Sequence, residues 1–378
     1  MPGFNLEKIT NKAYIGGEFI EAAKSFPVKN PYTLDTLSLS ADCRLEEAKT
    51  ALSSASLAFA KWKLVSAKER AEKLKLWAKS IRENSEEIAK LLTSEQGKAY
   101  GEALGEVMQG AVMIDWFAEE ARRIHGETLS YRGEEKRDFT LKTPVGVVFA
   151  ITPWNFPFIA PIVKCASAIA AGCSVILKPS EETPLVAMAL AFCAHEAGIN
   201  GGEFSVLPCS NPASVSDYLM ASDKVRMLSF TGSTNIGKKL YKAAADTMKK
   251  TAFELGGNAP FMVFDDAELE IATNCAKGAR FYNNGQICIG ANRIFVHEKV
   301  YDQFIELYKE KVSSLKTGNG LDSDTNTGPL INRDSLDKLD YLVGDALSKG
   351  ASLVCGGKAK EGLNFEPTIL RDLSLIHI

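Results

Sequence analysis

The chain has 378 residues, 46% of them hydrophobic and 24% charged, which places it among globular proteins of two or three domains and excludes a disordered chain. Forty-four basic against 47 acidic side chains leave a net charge of −3, so neither nucleic acid nor an anionic membrane is expected as the dominant partner. A small-molecule enzyme is the default class. In chain order, MPGFNLEKITNK lacks an apolar run of signal-peptide length. AYIGGEFIEA predicts a hairpin turning at Gly16-Gly17. From Leu45 to about His125 the pattern is helical. Ala48, Leu52, Ala55 and Phe59 share one face, and Glu69 to Ile81 repeats the pattern with lysines outside. Residues 126–144, GETLSYRGEEKRDFTLKTP, alternate about a charged turn and predict a two-stranded ribbon. Taken alone, that ribbon is equally well a surface hairpin without a role.

From Val145 to Glu254 the texture becomes strand, Gly/Pro turn, helix. GVVFAITP, CSVILKPS, FSVLP and VRMLSFTG are the strands, and Ile159 to Ala171 and Pro184 to Ala197 are helices ended by Gly172 and Gly198. This alternation predicts a parallel sheet with helical crossovers. Another α/β segment starts at TAFELGGNAPFMVF. The most apolar stretch, Pro144 to Val163, is broken by Pro153, Pro157 and Pro161, which argues against a membrane helix. Eight cysteines without a Cys-x-x-Cys pair, and four histidines without ligand-like neighbours, argue for a reducing compartment, taken as cytoplasmic, and against a zinc site.

Five short motifs carry chemistry. FTGSTNIGKKL places Gly232 and Ser233 at a strand-to-helix turn. It approaches, without matching, the dinucleotide pattern G-x-G-x-x-G. Gly232 would admit a ligand to the backbone, and the helix start would favour a phosphate. Ser233 as a plain helix cap explains the same residues. ILKPSEETP sets Lys178 and Glu181 at a strand end, where an acidic side chain can hold ribose hydroxyls and would repel the extra phosphate of NADP. A solvated turn is the bland reading. FYNNGQICIGANR brackets Cys288 with Gly285 and Gly290, an irregular backbone that exposes the sulfur and can lower its pKa below ~8.5. Cys165, Cys173 and Cys193 lie in apolar segments, as inert buried thiols do. Glu254, between Phe253 and Leu255, is either a surface residue or a general base whose pKa a semi-apolar cleft raises. Asn155, in TPWNFP, is either a turn residue or a donor aimed at a developing oxyanion.

TPWNFP, KPSEETP, FTGSTNIG, FELGGNAP and NNGQICIGANR stand in the order and spacing of the NAD(P)-dependent aldehyde dehydrogenase superfamily, which the chain resembles from about Tyr14 to Arg371. GPLIN (Gly328 to Asn332) and FEPTIL (Phe365 to Leu370) place it nearest the succinate-semialdehyde dehydrogenase branch. The resemblance implies an α/β fold. It consists of a Rossmann-type nucleotide domain (residues 1–125 and 145–253), a β-ribbon oligomerisation arm (126–144) and a catalytic α/β domain (254–378). It also implies roles. Cys288 is the nucleophile that forms a thiohemiacetal and then a thioester. The Asn155 amide and the Cys288 backbone N–H form the oxyanion hole, and Glu254 activates the hydrolytic water. Lys178 and Glu181 hold the adenosine ribose, Gly232 and Ser233 lie near the pyrophosphate, and Trp154 adjoins the cofactor. NAD is expected over NADP because of Glu181, and a homo-oligomer because of the ribbon.

The sequence also departs from that branch. Arginines that would pair a substrate carboxylate are replaced by Val163 and Tyr282, which leaves succinate semialdehyde in question. The second cysteine that some members carry beside the nucleophile is Gly290. The chain ends at LSLIHI, before the segments that follow FEPTIL in the family, so a C-terminally truncated fragment of impaired activity is expected. Two rival functions stand beside the dehydrogenase. A cysteine acyl hydrolase or transferase would share the thioester but lacks a histidine base here. A non-catalytic binding protein of the same fold would have no reason to carry Cys288, Glu254 and Asn155 together.

Overall fold

The computed structural model describes residues 4–129 and 136–374. The tip of the expected ribbon, 130–135, and the ending at 375–378 lie outside the described residues. The chain divides into two compact units. The first comprises Met1–Val28, Ser38–Ile88 and Gly105–Glu254, and the second Lys29–Leu37, Ala89–Leu104 and Leu255–Ile378.

In the first unit, strands β1 (Lys12–Ile15) and β2 (Glu18–Glu21) form the expected hairpin, with Ile15 facing Glu18. Its two-residue turn needs positive φ at both Gly16 (+66°) and Gly17 (+90°). A Cβ on Gly17 would sit 1.9 Å from the Asn200 carbonyl oxygen, so only glycine fits. Strands β3 (Ser25–Lys29) and β4 (Thr36–Ala41) make a separate two-stranded sheet whose tip, Lys29–Leu37, belongs to the second unit. Helices α1 (Leu45–Trp62), α2 (Ala67–Glu83), α3 (Ser85–Gln96) and α4 (Tyr100–Ala121) occupy the stretch read as helical. Ala48, Leu52 and Ala55 of α1 are buried as expected, while Phe59 is only half-buried.

The predicted alternation then follows. β5 (Val147–Ile151), α5 (Ile159–Ala170), β6 (Ser174–Lys178), α6 (Pro184–Glu196), β7 (Phe204–Val206), α7 (Pro212–Ala221), β8 (Val225–Gly232), α8 (Thr234–Ala245) and β9 (Lys250–Leu255) run in sequence. Seven strands form one sheet in the order β2-β1-β7-β6-β5-β8-β9. β7, β6, β5 and β8 are parallel neighbours, and β1 pairs antiparallel with β7. Every residue of β5, β6 and β7 is buried, as a parallel sheet covered on both faces requires. Two indoles tie the outer helices to this layer: Trp62 Nε1 donates to the Ile169 carbonyl (3.0 Å) and Trp77 Nε1 to that of Leu190 (3.2 Å). Of the ribbon, the described part pairs through one antiparallel bridge, Thr128 with Phe139, with N–H···O bonds of 2.9 and 2.8 Å beside it.

The second unit holds β10 (Ala259–Val263), α9 (Leu269–Phe281), β11 (Ala291–Val296), α10 (Tyr301–Ser313), α11 (Arg333–Ser348), β12 (Ser352–Cys355) and β13 (Ile369–Arg371). β10 and β11 are parallel, β12 and β13 antiparallel. Its main core gathers Val263, Ala276, Phe304, Ile305, Tyr308 and Val312. Residues 29–37 and 89–104 belong here, although they precede the expected nucleotide-domain boundary. The reason is close backbone packing. Tyr100 N–H donates to the Gly320 carbonyl (2.8 Å), and a Cβ on Gly328 would lie 1.7 Å from the Gly97 oxygen. Among the described residues no helix is long and apolar enough to cross a membrane.

Candidate active site

The chain order of the parallel strands reverses at β5. β6 and β7 extend the sheet on one side of it, β8 and β9 on the other. A crevice outside the carboxyl ends of strands at such a reversal is where open α/β sheets take ligands. Register places Ile151 opposite both Lys178 and Phe230, so TPWNFP, KPSEE and TGST leave the sheet at one edge. The first of these loops is held by Glu106 on α4, only 3% exposed. One of its carboxylate oxygens accepts the N–H groups of Phe158 (3.0 Å) and Ile159 (3.1 Å). The residue just before α5, Phe158, makes no side-chain cap, so this carboxylate supplies the acceptor a helix N-terminus favours. Trp154 and Asn155 are half-buried in the bend it stabilises.

Lys178 is buried at the end of β6, and its Nζ donates to Glu181 Oε2 at 2.9 Å. Glu181 is exposed. Ser233 caps α8 by accepting the Ile236 N–H at 3.4 Å, and it too is exposed. A Cβ on Gly232 would lie 2.6 Å from the Phe230 ring, so packing alone demands glycine there, whatever approaches from outside. A buried ammonium, an exposed carboxylate and an uncovered helix N-terminus on one sheet edge fit the hydroxyls and phosphates of a dinucleotide.

Glu254 is exposed on β9, where the sequence led to the expectation of a semi-apolar cleft. Its neighbour Phe253 turns away to pack on Phe230 and Tyr241, with ring centroids 5.8 and 5.7 Å apart. The group that sequence reasoning missed is Lys164, 7% exposed on α5. Its Nζ donates to Ser229 Oγ (3.1 Å) on β8. Burial pushes its pKa down to about 8, while Cys165 and Glu254 favour the charged form. The signal was present as one lysine inside the apolar run IAPIVKCASAIA.

Cys288 lies in the second unit, in a turn closed by the Gly290 N–H and the Ile287 carbonyl (3.3 Å), and it is exposed. Cys275, on α9, is also exposed, whereas Cys43, Cys165, Cys173, Cys193 and Cys209 are buried. Burial holds the Cys43 and Cys165 thiols far above the usual range, and pushes Cys193 up to about 12 and Cys209 up to about 11. Those sulfurs are poor nucleophiles at neutral pH. The 3₁₀ turn Tyr282–Gly285 ahead of Cys288 holds three left-handed residues, Asn283 (φ 50°), Asn284 (φ 53°) and Gly285 (φ 74°). Asparagine tolerates this region better than most residues with a side chain. Of the glycines bracketing Cys288, Gly285 is needed for its left-handed φ, and both lie against the movable tip of Arg280. A Cβ on Gly285 or on Gly290 would come within 2.9 Å of its guanidinium, whose Nη1 donates to the Gly285 carbonyl (2.9 Å). Val163 on α5 is 43% exposed, and Tyr282 is half-buried.

A sequence profile of the aldehyde dehydrogenase family matches residues 19–375. The chain is 45% identical over 364 residues to glutarate-semialdehyde dehydrogenase of Pseudomonas putida, covering 96% of this chain and 76% of that one. It is 43% identical over 372 residues to succinate-semialdehyde dehydrogenase [NADP(+)] 1 of Schizosaccharomyces pombe, covering 97% and 75%. The crystal structure of succinate-semialdehyde dehydrogenase from Burkholderia pseudomallei superposes with a TM-score of 0.96 at 42% identity, covering 99% of this chain and 78% of that one.

Lys164 gives this unit a pH signature. Its depressed pKa means that the unfolded chain binds the proton more tightly, so between about pH 8 and pH 10 this group makes stability rise with pH. Lys164→Met removes the buried charge. Its melting temperature is expected to exceed that of the native chain most below pH 8, with the difference shrinking as the pH approaches 10. A difference that does not change with pH contradicts the assignment.

Proposed function

The chain belongs to the aldehyde dehydrogenase family, and from that premise we propose that it oxidises an aldehyde to a carboxylic acid with NAD(P), through a thioester on Cys288. The observation that carries the reading is the contrast among the thiols: Cys288 is exposed in an irregular glycine-bracketed loop, while five other cysteines are buried. Cys288 Sγ, as thiolate, adds to the carbonyl carbon of the aldehyde and turns the carbonyl oxygen into an oxyanion. The Asn155 amide and the Cys288 backbone N–H donate to that oxyanion. Lys178, Glu181, Gly232, Ser233 and Trp154 would hold the dinucleotide, whose nicotinamide would supply the hydride acceptor that takes the thiohemiacetal to the thioester. Glu254 then takes a proton from water as its oxygen attacks the thioester. The acid leaves, and Cys288 is free again. An exposed Glu254 suits this last role because its carboxylate meets water directly.

NAD is the favoured cofactor in this reading. Support comes from the Glu181 carboxylate, which would lie beside the extra phosphate of NADP. Lys178 at 2.9 Å offsets part of that charge, so the preference is modest, about tenfold or less. For the substrate, Val163 and Tyr282 offer no cation to a distal carboxylate, which favours uncharged aldehydes. Succinate semialdehyde is the second reading, favoured by the names of the relatives. Exposed Leu129, Phe139 and Leu141 on the ribbon support pairing with another copy of the chain, and the buried free thiols suit the cytoplasm.

Cys288→Ala is expected to abolish NAD reduction with every aldehyde in a panel that includes succinate semialdehyde, while NAD binding, followed by fluorescence titration, is unchanged. Cys165→Ala should keep the chemistry. Turnover near the native rate in Cys288→Ala contradicts the nucleophile assignment. Glu181→Ser is expected to raise kcat/KM with NADP relative to NAD by about tenfold. An unchanged ratio removes Glu181 as the source of the preference.

A further inference from the structure

The loop that carries Cys288 is tied down at several points within the second unit. Glu102, half-buried in the first turn of α4, accepts the Asn283 backbone N–H through both carboxylate oxygens, at 3.2 and 3.1 Å. Asn283 is 1% exposed and opens the left-handed run. Gln286 Nε2 donates to the Asn283 carbonyl (3.2 Å), and Gln286 Oε1 accepts the Ile331 N–H (3.1 Å). Asn284 Nδ2 donates to the Gly328 carbonyl (2.9 Å). Asparagine enters the left-handed region more readily than most residues with a side chain, but does so mainly as a single residue. Two in succession need an anchor on the backbone itself, and a charged acceptor is the strongest kind available.

We propose that Glu102 is a positioning residue for Cys288: its carboxylate pins the Asn283 N–H, keeps residues 283–285 left-handed, and so sets the turn in which the sulfur is presented. The inference rests on reading Cys288 as the nucleophile. Glu102 acts five residues upstream of the cysteine, through backbone alone. Its amide counterpart, which keeps an oxygen acceptor, should therefore replace it largely, and a shorter acid should not.

The test uses the full chain and the alkylation rates of Cys288 and Cys275 by iodoacetamide, resolved by peptide mass spectrometry. Cys275 is the second exposed thiol and serves as the internal reference. Glu102→Ala is expected to slow Cys288 about tenfold, with Cys275 unchanged. Glu102→Gln is expected to stay within about twofold of the native rate at both cysteines. Glu102→Asp, which keeps the charge but draws the carboxylate back by one carbon, is expected to slow Cys288 several-fold and leave Cys275 alone. It carries the test if the alanine variant does not melt cooperatively. Native Cys288 rates in the alanine and aspartate variants overturn the proposal. So does a fall of both cysteines together, or a loss in Glu102→Gln as large as in Glu102→Ala. Alkylation reads the sulfur directly, so its outcome is independent of whether Cys288→Ala retains aldehyde oxidation.

Discussion

Parallel pairing of β5 with β6 on one side and β8 on the other is the constraint from which the first unit's chemistry follows. Buried strands must place every backbone N–H and C=O in the ladder, so polar side chains and irregular turns can appear only where the strands end. Because Ile151, Lys178 and Phe230 are in register, the three strands end within two residues of one level and their loops leave at one edge. Asn155, Lys178, Glu181, Gly232 and Ser233 are gathered by this backbone rule. An ion pair such as Lys178–Glu181 adds little to stability when one partner is exposed. What it contributes is a fixed pattern of charge at the edge where a dinucleotide would lie.

Two acids of α4 play parallel structural parts. Glu106 accepts the first N–H groups of α5, and Glu102 accepts the N–H that opens the left-handed run before Cys288. Each holds backbone that has no repeating partner, at a helix start in one case and in a left-handed turn in the other. A carboxylate withdrawn from water is costly without compensating donors, and buried Glu106 and half-buried Glu102 both find them in main-chain N–H groups.

Much of the first unit was legible because its signals are local. The hairpin at Gly16-Gly17, the strand ending at Gly232 and the helix starting at Pro184 follow from turn chemistry, alternation and proline placement. The grouping of residues 29–37 and 89–104 with the second unit was not legible. It depends on the approach of Gly97 to Gly328 and of Tyr100 to Gly320, contacts that no local pattern encodes. At the site, Cys288 stood out by its glycines, of which Gly285 serves the left-handed turn ahead of it. Glu102 and Glu106 read as ordinary helix charges, since a sequence does not show which N–H groups lack partners. The surroundings of Glu254 were not legible: flanking Phe253 and Leu255 suggested burial, and strand alternation turned the carboxylate outward.

The central claim is that aldehyde carbon becomes bonded to Cys288 and leaves as an acid. Intact-mass and peptide mass spectrometry after mixing the chain with NAD and an aldehyde, followed by a rapid acid quench, tests it most directly. The account predicts an acyl group on Cys288, heavier than the free thiol by the mass of the aldehyde less two hydrogens, and lost when the quench is delayed. An adduct confined to Cys275, or no acyl adduct while the acid still accumulates at the burst timescale, would contradict it.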